Sequence, residues 1–332
     1  MIKKIKIGQI GIGHNHGEAK MQTVRKFSSI FEVVGVAEPD EEWLKKRKTL
    51  PCYADLPFMS TEELLNTPGL DAVLVETDVK DLMKTARICI EKGVPIHLDK
   101  PAGEDFHEFK EIMETARSGK IIVQMAYMYR YNPAIQCCIE KIKRGEIGTI
   151  THIDAQMSTE HSDEYRRWLQ QFQGGSMYIF GCHLIDLVVL LLGEPEKVIP
   201  FLSKSGKNGV EAYDNNLAVL TYKNGSSVVR VSSVEVNGFG RRQFVICGTE
   251  GTLELKPFER PTVMTYAVAN MGNAYCDRKE TVILPECTGR YDEQLLDFAK
   301  MVRGEKENPF SYDHELLIHQ ITLKACGLEE IV

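Results

Sequence analysis

The chain has 332 residues, enough for two domains of ordinary size, and its 43% hydrophobic and 26% charged composition is that of a globular protein with a sizeable core. A formal net charge of −7 argues against nucleic-acid or anionic-membrane partners. Nine cysteines without a C-x-x-C pair give no metal or disulfide framework, the longest strongly apolar run (184–192) contains Asp186 and is too short to span a bilayer, and the N-terminus runs directly into a strand, so a cytoplasmic protein is expected.

The first 38 residues carry the parts of a dinucleotide-binding βαβ unit. Ile5, Ile7 and Ile10 lie in an apolar run that reads as a strand. It ends in Gly11-Ile12-Gly13-His14-Asn15-His16-Gly17, which holds the first two glycines of G-x-G-x-x-G. Gly11 allows a tight turn, and Gly13, lacking a Cβ, lets backbone N–H groups approach a pyrophosphate at the positive end of the next helix. That helix is expected over 15–27 and a second strand over 31–37. Glu38 then stands where an acid accepts hydrogen bonds from the adenosine ribose hydroxyls and repels a 2′-phosphate, which favours NAD over NADP. His16 occupies the place of the third glycine, which normally lets helix and strand pack closely, with Gly17 beside it as a substitute. The basic cluster Lys45-Lys46-Arg47-Lys48 reads as the solvated last turn of a helix opened by Asp40, Glu41 and Glu42; placed near the ribose instead, it would leave room for NADP.

Strands and helices alternate up to about residue 123, with strands at 70–75, 95–98 and 121–127 and helices at 79–92 and 104–118. This predicts an α/β protein whose residues 1–123 form a Rossmann-type, doubly wound parallel sheet with helices on both faces. From about residue 148 the pattern changes to strands joined by turns. Asn224-Gly225 separates strands at 218–222 and 227–231, and Gly248 to Gly251 separates 244–246 from 252–255, giving two hairpins. Helices at about 290–303 and 313–331 close the chain. Residues 124–332 are therefore expected to form a second α/β domain around a large, open, mainly antiparallel sheet. The change of domain falls near 127–133, where Asn132-Pro133 sets the chain direction.

Two constellations could carry chemistry. Asp99-Lys100-Pro101 follows a strand of the parallel sheet, at the carboxyl edge where ligands of doubly wound sheets bind. Downstream, Gly174-Gly175 opens a helix carrying His183 and Asp186, three residues apart and able to hydrogen-bond across one turn. The carboxylate can then fix the imidazole tautomer of an acid/base unit. A structural His–Asp pair in a half-buried helix fits the same spacing. His314 and His319, five apart, diverge around a helix, and no metal site is expected from them or elsewhere. Tyr127, Tyr129 and Tyr131 alternate along a strand as core or interface surface. Arg166, Arg167 and Trp168 either touch a sugar or lie in a surface loop.

In this order the motifs resemble those of the Gfo/Idh/MocA oxidoreductases, the family of glucose-fructose oxidoreductase, inositol 2-dehydrogenase and rhizopine catabolism. The matching pieces are Gly11-Ile12-Gly13, Val36-Ala37-Glu38-Pro39-Asp40, Asp99-Lys100-Pro101 as a form of the family's Glu-Lys-Pro, Arg130-Tyr131-Asn132-Pro133, Trp168, residues 174–186 and the hairpin at 247–254. The resemblance implies a nicotinamide between the two domains and an open sheet whose outer face often forms the interface of a homodimer or homotetramer. It implies cofactor contacts from Gly11, Gly13, His14, Asn15, Glu38, Thr77, Asp78, Asp99 and Lys100, and substrate contacts from Arg130, Trp168 and Asp186. Lys100, joined to Pro101 by a cis bond, and His183 are the implied catalytic pair. Three positions depart from the family pattern. Ile179 stands four residues before His183, where family dehydrogenases often place an aspartate; Thr77-Asp78-Val79 replaces a Thr-Pro-Asn-type loop, with Leu82 where a histidine is common; and His16 replaces the third glycine.

The chemistry suits those roles. Hydride leaves a carbinol carbon only as the hydroxyl proton is removed, and an imidazole with an ordinary pKa of about 6.5 can take that proton near neutrality. A lysine beside a cationic oxidised nicotinamide has its pKa lowered and can relay a proton or stabilise alkoxide charge. The expectation is an NAD-dependent oxidoreductase acting on a secondary alcohol of a sugar or cyclitol, a small-molecule partner. Ile179 motivates one alternative, redox-neutral elimination or hydrolysis assisted by retained NAD. A cofactor-binding regulator without catalysis is another.

Overall fold

The computed structural model describes residues 3–259, 261–269, 279–285 and 289–328. The chain divides into two compact units, Met1–Met128 with Thr288–Leu316, and Tyr129–Cys287 with Leu317–Val332. Residues 288–316, read from the sequence with the second domain, thus belong to the first unit.

In the first unit β1 (Ile5–Ile10), β2 (Phe31–Ala37), β3 (Ala72–Val75), β4 (Ile96–Leu98) and β5 (Val123–Met125) form an all-parallel sheet in the order β2-β1-β3-β4-β5. The order reverses between β1 and β3, so the crevice where such sheets bind ligands lies outside the carboxyl ends of those two strands. All residues of β3, β4 and β5 are buried, which is why these strands read as unbroken runs rather than alternating ones. The connecting helices are α1 (Asn15–Lys26), α2 (Glu41–Arg47), α3 (Thr61–Leu65), α4 (Leu82–Glu91) and α5 (Phe106–Gly119). Asp40 caps α2 by accepting from the N–H groups of Glu42 and Trp43, and Ser60 and Glu63 form a reciprocal capping box on α3. The helix expected over 79–92 is split by a 3₁₀ turn at Val79–Asp81.

The second unit opens with α6 (Pro133–Lys143), whose first N–H groups are capped by Asn132. The expected strand carrying Tyr127, Tyr129 and Tyr131 is corrected here: β5 ends at Met125, and Met128–Tyr131 is a 3₁₀ turn that leads into Asn132 and α6. There follow β6 (Ile150–Ser158), α7 (Asp163–Leu169), a π-helical turn at Met177–Gly181 and α8 (Cys182–Leu192). The remaining strands are β7 (Lys197–Phe201), β8 (Asn215–Tyr222), β9 (Gly225–Ser232), β10 (Gln243–Gly248), β11 (Gly251–Leu255), β12 (Val263–Val268) and β13 (Glu280–Ile283). With β6 they form one sheet, ordered β13-β12-β11-β10-β6-β9-β8-β7, in which, among the described residues, only β6 and β9 pair in parallel. The outermost strand β7 contains Pro200 and leaves Phe201 54% exposed. Both expected hairpins are present, β8–β9 and β10–β11.

Two helices close the described chain, α9 (Asp292–Val302) and α10 (Tyr312–Ala325); positions 329–331 of the expected last helix lie outside the described residues. In the first unit α9 packs Leu295, Phe298 and Ala299 with Val24 of α1 and with Ile5, Ile7, Phe31 and Leu74 of the sheet. Among the described residues no helix is long and apolar enough to cross a membrane.

Candidate active site

Each cofactor residue expected in the first unit lies just beyond the carboxyl end of a parallel strand: Gly11 to Asn15 after β1, Glu38 after β2, Thr77 and Asp78 after β3, Asp99 and Lys100 after β4. Gly11 has φ +96°, and a Cβ there would lie 2.2 Å from the Thr77 nitrogen, so the turn requires glycine to pass β3. A Cβ on Gly13 would come within 2.9 Å of the Trp43 ring. Gly17, not residue 16, is the packing glycine, since a Cβ on this buried residue would lie 3.0 Å from Gln9 Nε2 and 3.2 Å from the Glu76 Cβ. Among the described residues none accepts from the N–H groups of Gly13, His14 and Asn15, which therefore remain available to an anion at the start of α1. That open cradle fits a dinucleotide pyrophosphate. Glu38 braces the same loop, accepting from Ile12 N–H at 2.6 Å and Asp40 N–H at 2.9 Å. Burial raises its pKa, against the lowering effect of those two donors. A carboxylate has about four acceptor positions, so Glu38 can still receive a ribose hydroxyl. Asp78 Oδ1 is buried without a partner among the described residues.

Beneath this edge lies a network absent from the motif reading. Lys20 of α1 is fully buried and donates to Glu76 Oε1 at 2.6 Å and to Asp99 Oδ1 at 2.9 Å. Asp99 Oδ2 meets His16 Nδ1 at 3.0 Å and His14 Nε2 at 3.6 Å. The ligand atoms of His14, His16 and Asp99 all lie within 4.8 Å of one another. Burial alone would raise the Asp99 pKa, but the positive charge of Lys20 and the His16 contact hold it well below the ordinary carboxylate range. Burial dominates for Glu76 and raises it, against the attraction of Lys20. Lys20 is thus balanced chiefly by an ionised Asp99. Lys100 is 4% exposed and its bond to Pro101 is cis.

In the second unit the π-helical turn delivers His183 to the first turn of α8, 4% exposed, with its ring edge-on to Tyr129 at 5.2 Å. Asp186 Oδ1 accepts from Arg130 Nε at 2.9 Å and Nη2 at 2.6 Å, and both side chains are almost wholly buried. Arg130 and Asp186 therefore brace each other beside the histidine helix. Ile179 lies buried within the π-helical turn. Trp168 belongs to an aromatic wall with Tyr165 and Phe172, at 5.2 and 4.9 Å, and Tyr165 stacks on His161 at 4.4 Å. Arg166 is not in a surface loop. It is fully buried in α7, paired with Asp214 at 3.0 Å and Asp163 at 2.6 Å. Lys20, Glu76 and His161 escaped the sequence reading, and His16 was noted there only as the residue in the place of the third glycine. The one legible signal was a charged Lys20 among apolar positions of a helix already placed against the sheet.

A dinucleotide-type Rossmann unit followed by a broad, mainly antiparallel sheet defines a class of two-unit oxidoreductases. Residues 5–127 match the oxidoreductase family with an NAD-binding Rossmann fold, and residues 135–254 match the GFO/IDH/MocA C-terminal domain. The chain belongs to the Gfo/Idh/MocA oxidoreductase family. It is similar to trans-1,2-dihydrobenzene-1,2-diol dehydrogenase of Xenopus laevis, 23% identical over 68% of each chain. Among solved structures it shares its fold with a putative NADPH-dependent oxidoreductase of Desulfitobacterium hafniense (TM-score 0.83, 18% identity, 98% of this chain and 96% of that one). The WlbA dehydrogenase of Bordetella pertussis, solved with NADH and UDP-GlcNAcA, also has this fold (TM-score 0.76, 16% identity, 98% and 97%).

Proposed function

We propose that this protein is an NAD-dependent dehydrogenase that oxidises a secondary alcohol of a sugar or cyclitol. The observation that carries the proposal is the carboxyl edge of the parallel sheet, where three N–H groups without an acceptor among the described residues, Glu38 and the buried Lys100 each follow the end of a strand. Bound there, oxidised nicotinamide would accept hydride from the carbinol carbon. Gly13, His14 and Asn15 would hold the pyrophosphate, and Glu38 the adenosine ribose, its charge opposing a 2′-phosphate. Lys100 and His183 would serve as acid/base residues, general acid–base catalysis being worth about 10²–10⁴ in rate. Arg130 and Asp186 would fix the scaffold around His183, and Trp168 would offer an aromatic face to a ring. The relatives' names support a ring alcohol, since a trans-1,2-diol on a six-membered carbocycle shares its vicinal hydroxyls with inositols and pyranoses.

The test is NAD reduction by a panel of inositols, aldoses, uronates, amino sugars and trans-1,2-dihydrobenzene-1,2-diol, with mass spectrometry of any cofactor retained through purification. At least one alcohol is expected to reduce NAD, with Lys100→Ala and His183→Ala each losing about 10²-fold or more in kcat. If no member of the panel reduces NAD or NADP, the dehydrogenase assignment fails. Ile179 supports a second reading, in which retained NAD is reduced and reoxidised within one turnover; product would then form without accumulation of NADH.

A further inference from the structure

His16 and Asp99 form a carboxylate-backed imidazole that the dinucleotide motif does not require, because Gly17 already supplies the close packing of α1 on the sheet. Asp99 Oδ1 is engaged by Lys20, and Oδ2 faces His16 Nδ1 at 3.0 Å. An ionised carboxylate can only accept, so a neutral His16 places its proton on Nδ1 and its lone pair on Nε2. No partner of Nε2 is present among the described residues, and 21% of the side chain remains exposed. The groups that face the ring are Asp99, Lys100 and His14, with Lys20 behind Asp99 and the Tyr291 ring 6.4 Å away. Burial holds the imidazole down at about 3, so it is neutral at physiological pH, and negative charge brought to the loop raises its proton affinity. A fully buried lysine is a costly way to anchor a loop, and here it fixes the carboxylate that orients the ring.

We propose that His16, oriented by Asp99 and Lys20, is a further proton-transferring residue of the first unit in addition to Lys100, its Nε2 accepting the hydroxyl proton of an alcohol bound at this edge. This rests on the dehydrogenase reading above. The O–H bond breaks and its proton joins Nε2. The oxygen's electron pair completes the carbonyl as the carbon-bound hydrogen leaves with its own pair for oxidised nicotinamide. Asp99 stabilises the imidazolium, which then returns the proton to solvent.

Two measurements test it. In the full chain with ¹⁵N-labelled histidine, assigned with His16→Asn, His16 is expected in the Nδ1–H form, and Asp99→Asn should abolish that preference. The Nε2–H form, or no change in Asp99→Asn, overturns the proposal. With an alcohol that turns over, His16→Ala should lose about 10²-fold in kcat while its affinity for NADH and its KM stay within about threefold, and added imidazole should restore part of the rate. A loss that imidazole does not repair, shared by a well-folded His16→Asn, makes the residue structural and also overturns it. Turnover unaffected by His16→Ala sinks this proposal alone, whereas silence from every alcohol sinks the dehydrogenase reading with it. Equilibrium dialysis against Co²⁺ supplies the remaining arm: one tightly bound ion, lost in both His16→Ala and Asp99→Asn, would make His14, His16 and Asp99 metal ligands instead.

Discussion

Lys20 shows how a single residue can hold a site together from below. Its ammonium is shared between Glu76 and Asp99 with no access to water. Lys20→Met would leave the ionised Asp99 without its buried counter-ion, and the expected loss is about 3–5 kcal/mol in urea denaturation. Lys20→Met/Asp99→Asn should regain a substantial part of it; a single variant within about 1 kcal/mol of the wild type would contradict this. Glu38 makes a separate prediction about the cofactor. Glu38→Gln keeps an acceptor for the Ile12 N–H but removes the negative charge, so kcat/KM for NADP should rise about tenfold relative to NAD, some 1.4 kcal/mol. Glu38 was legible because its position follows from strand length, whereas the His16–Asp99 pair spans 83 residues that only the folded sheet brings together. The surface-loop alternative for Arg166 fails for a related reason. A charged side chain looks like surface until its buried partner, Asp214, is known.

At the scale of elements, the strands of the parallel sheet and the two hairpins could be read directly, since unbroken apolar runs and Asn-Gly turns are local signals. The short helices α3 and α7 were not, because five or seven residues are too few for a helical period. The β1–α1 junction carries two glycine constraints of different kind, which a motif alone does not separate. Gly11→Ala meets both a left-handed φ and backbone at 2.2 Å, so it should destabilise by about 3 kcal/mol or more and abolish NADH binding. His16→Gly should leave NADH affinity and thermal stability closer to wild type, since it gives up the Asp99 contact and adds backbone freedom worth about 1 kcal/mol but meets no backbone clash. If His16→Gly proved as damaging as Gly11→Ala, the packing role assigned to Gly17 would be wrong.

Across the whole molecule, stability should depend on pH through buried histidines. Burial drives His319 down to about 3 and His97 well below its ordinary value. Their folded pKa values lie under the unfolded one of about 6.5, so the unfolded chain binds more protons below that pH. The stabilisation is complete above about pH 6.5 and is lost as pH falls through the folded values. At pH 5.5 each such histidine contributes a loss of about 1.4 kcal/mol. Thermal melts at pH 7.5, 6.5 and 5.5 should show a falling midpoint, partly flattened in His319→Gln; a constant midpoint would refute the assignment. Glu76 acts in the opposite sense, losing stabilisation as rising pH ionises it, so the optimum lies near neutrality. The second unit's sheet is eight strands wide and open, and a boundary of that kind invites chains to stack endlessly side by side. At β7, Pro200 presents a ring where any other residue would offer a donor, so an incoming strand meets a gap in its ladder, and the exposed Phe201 next to it cannot nucleate a fibre through continuous main-chain pairing.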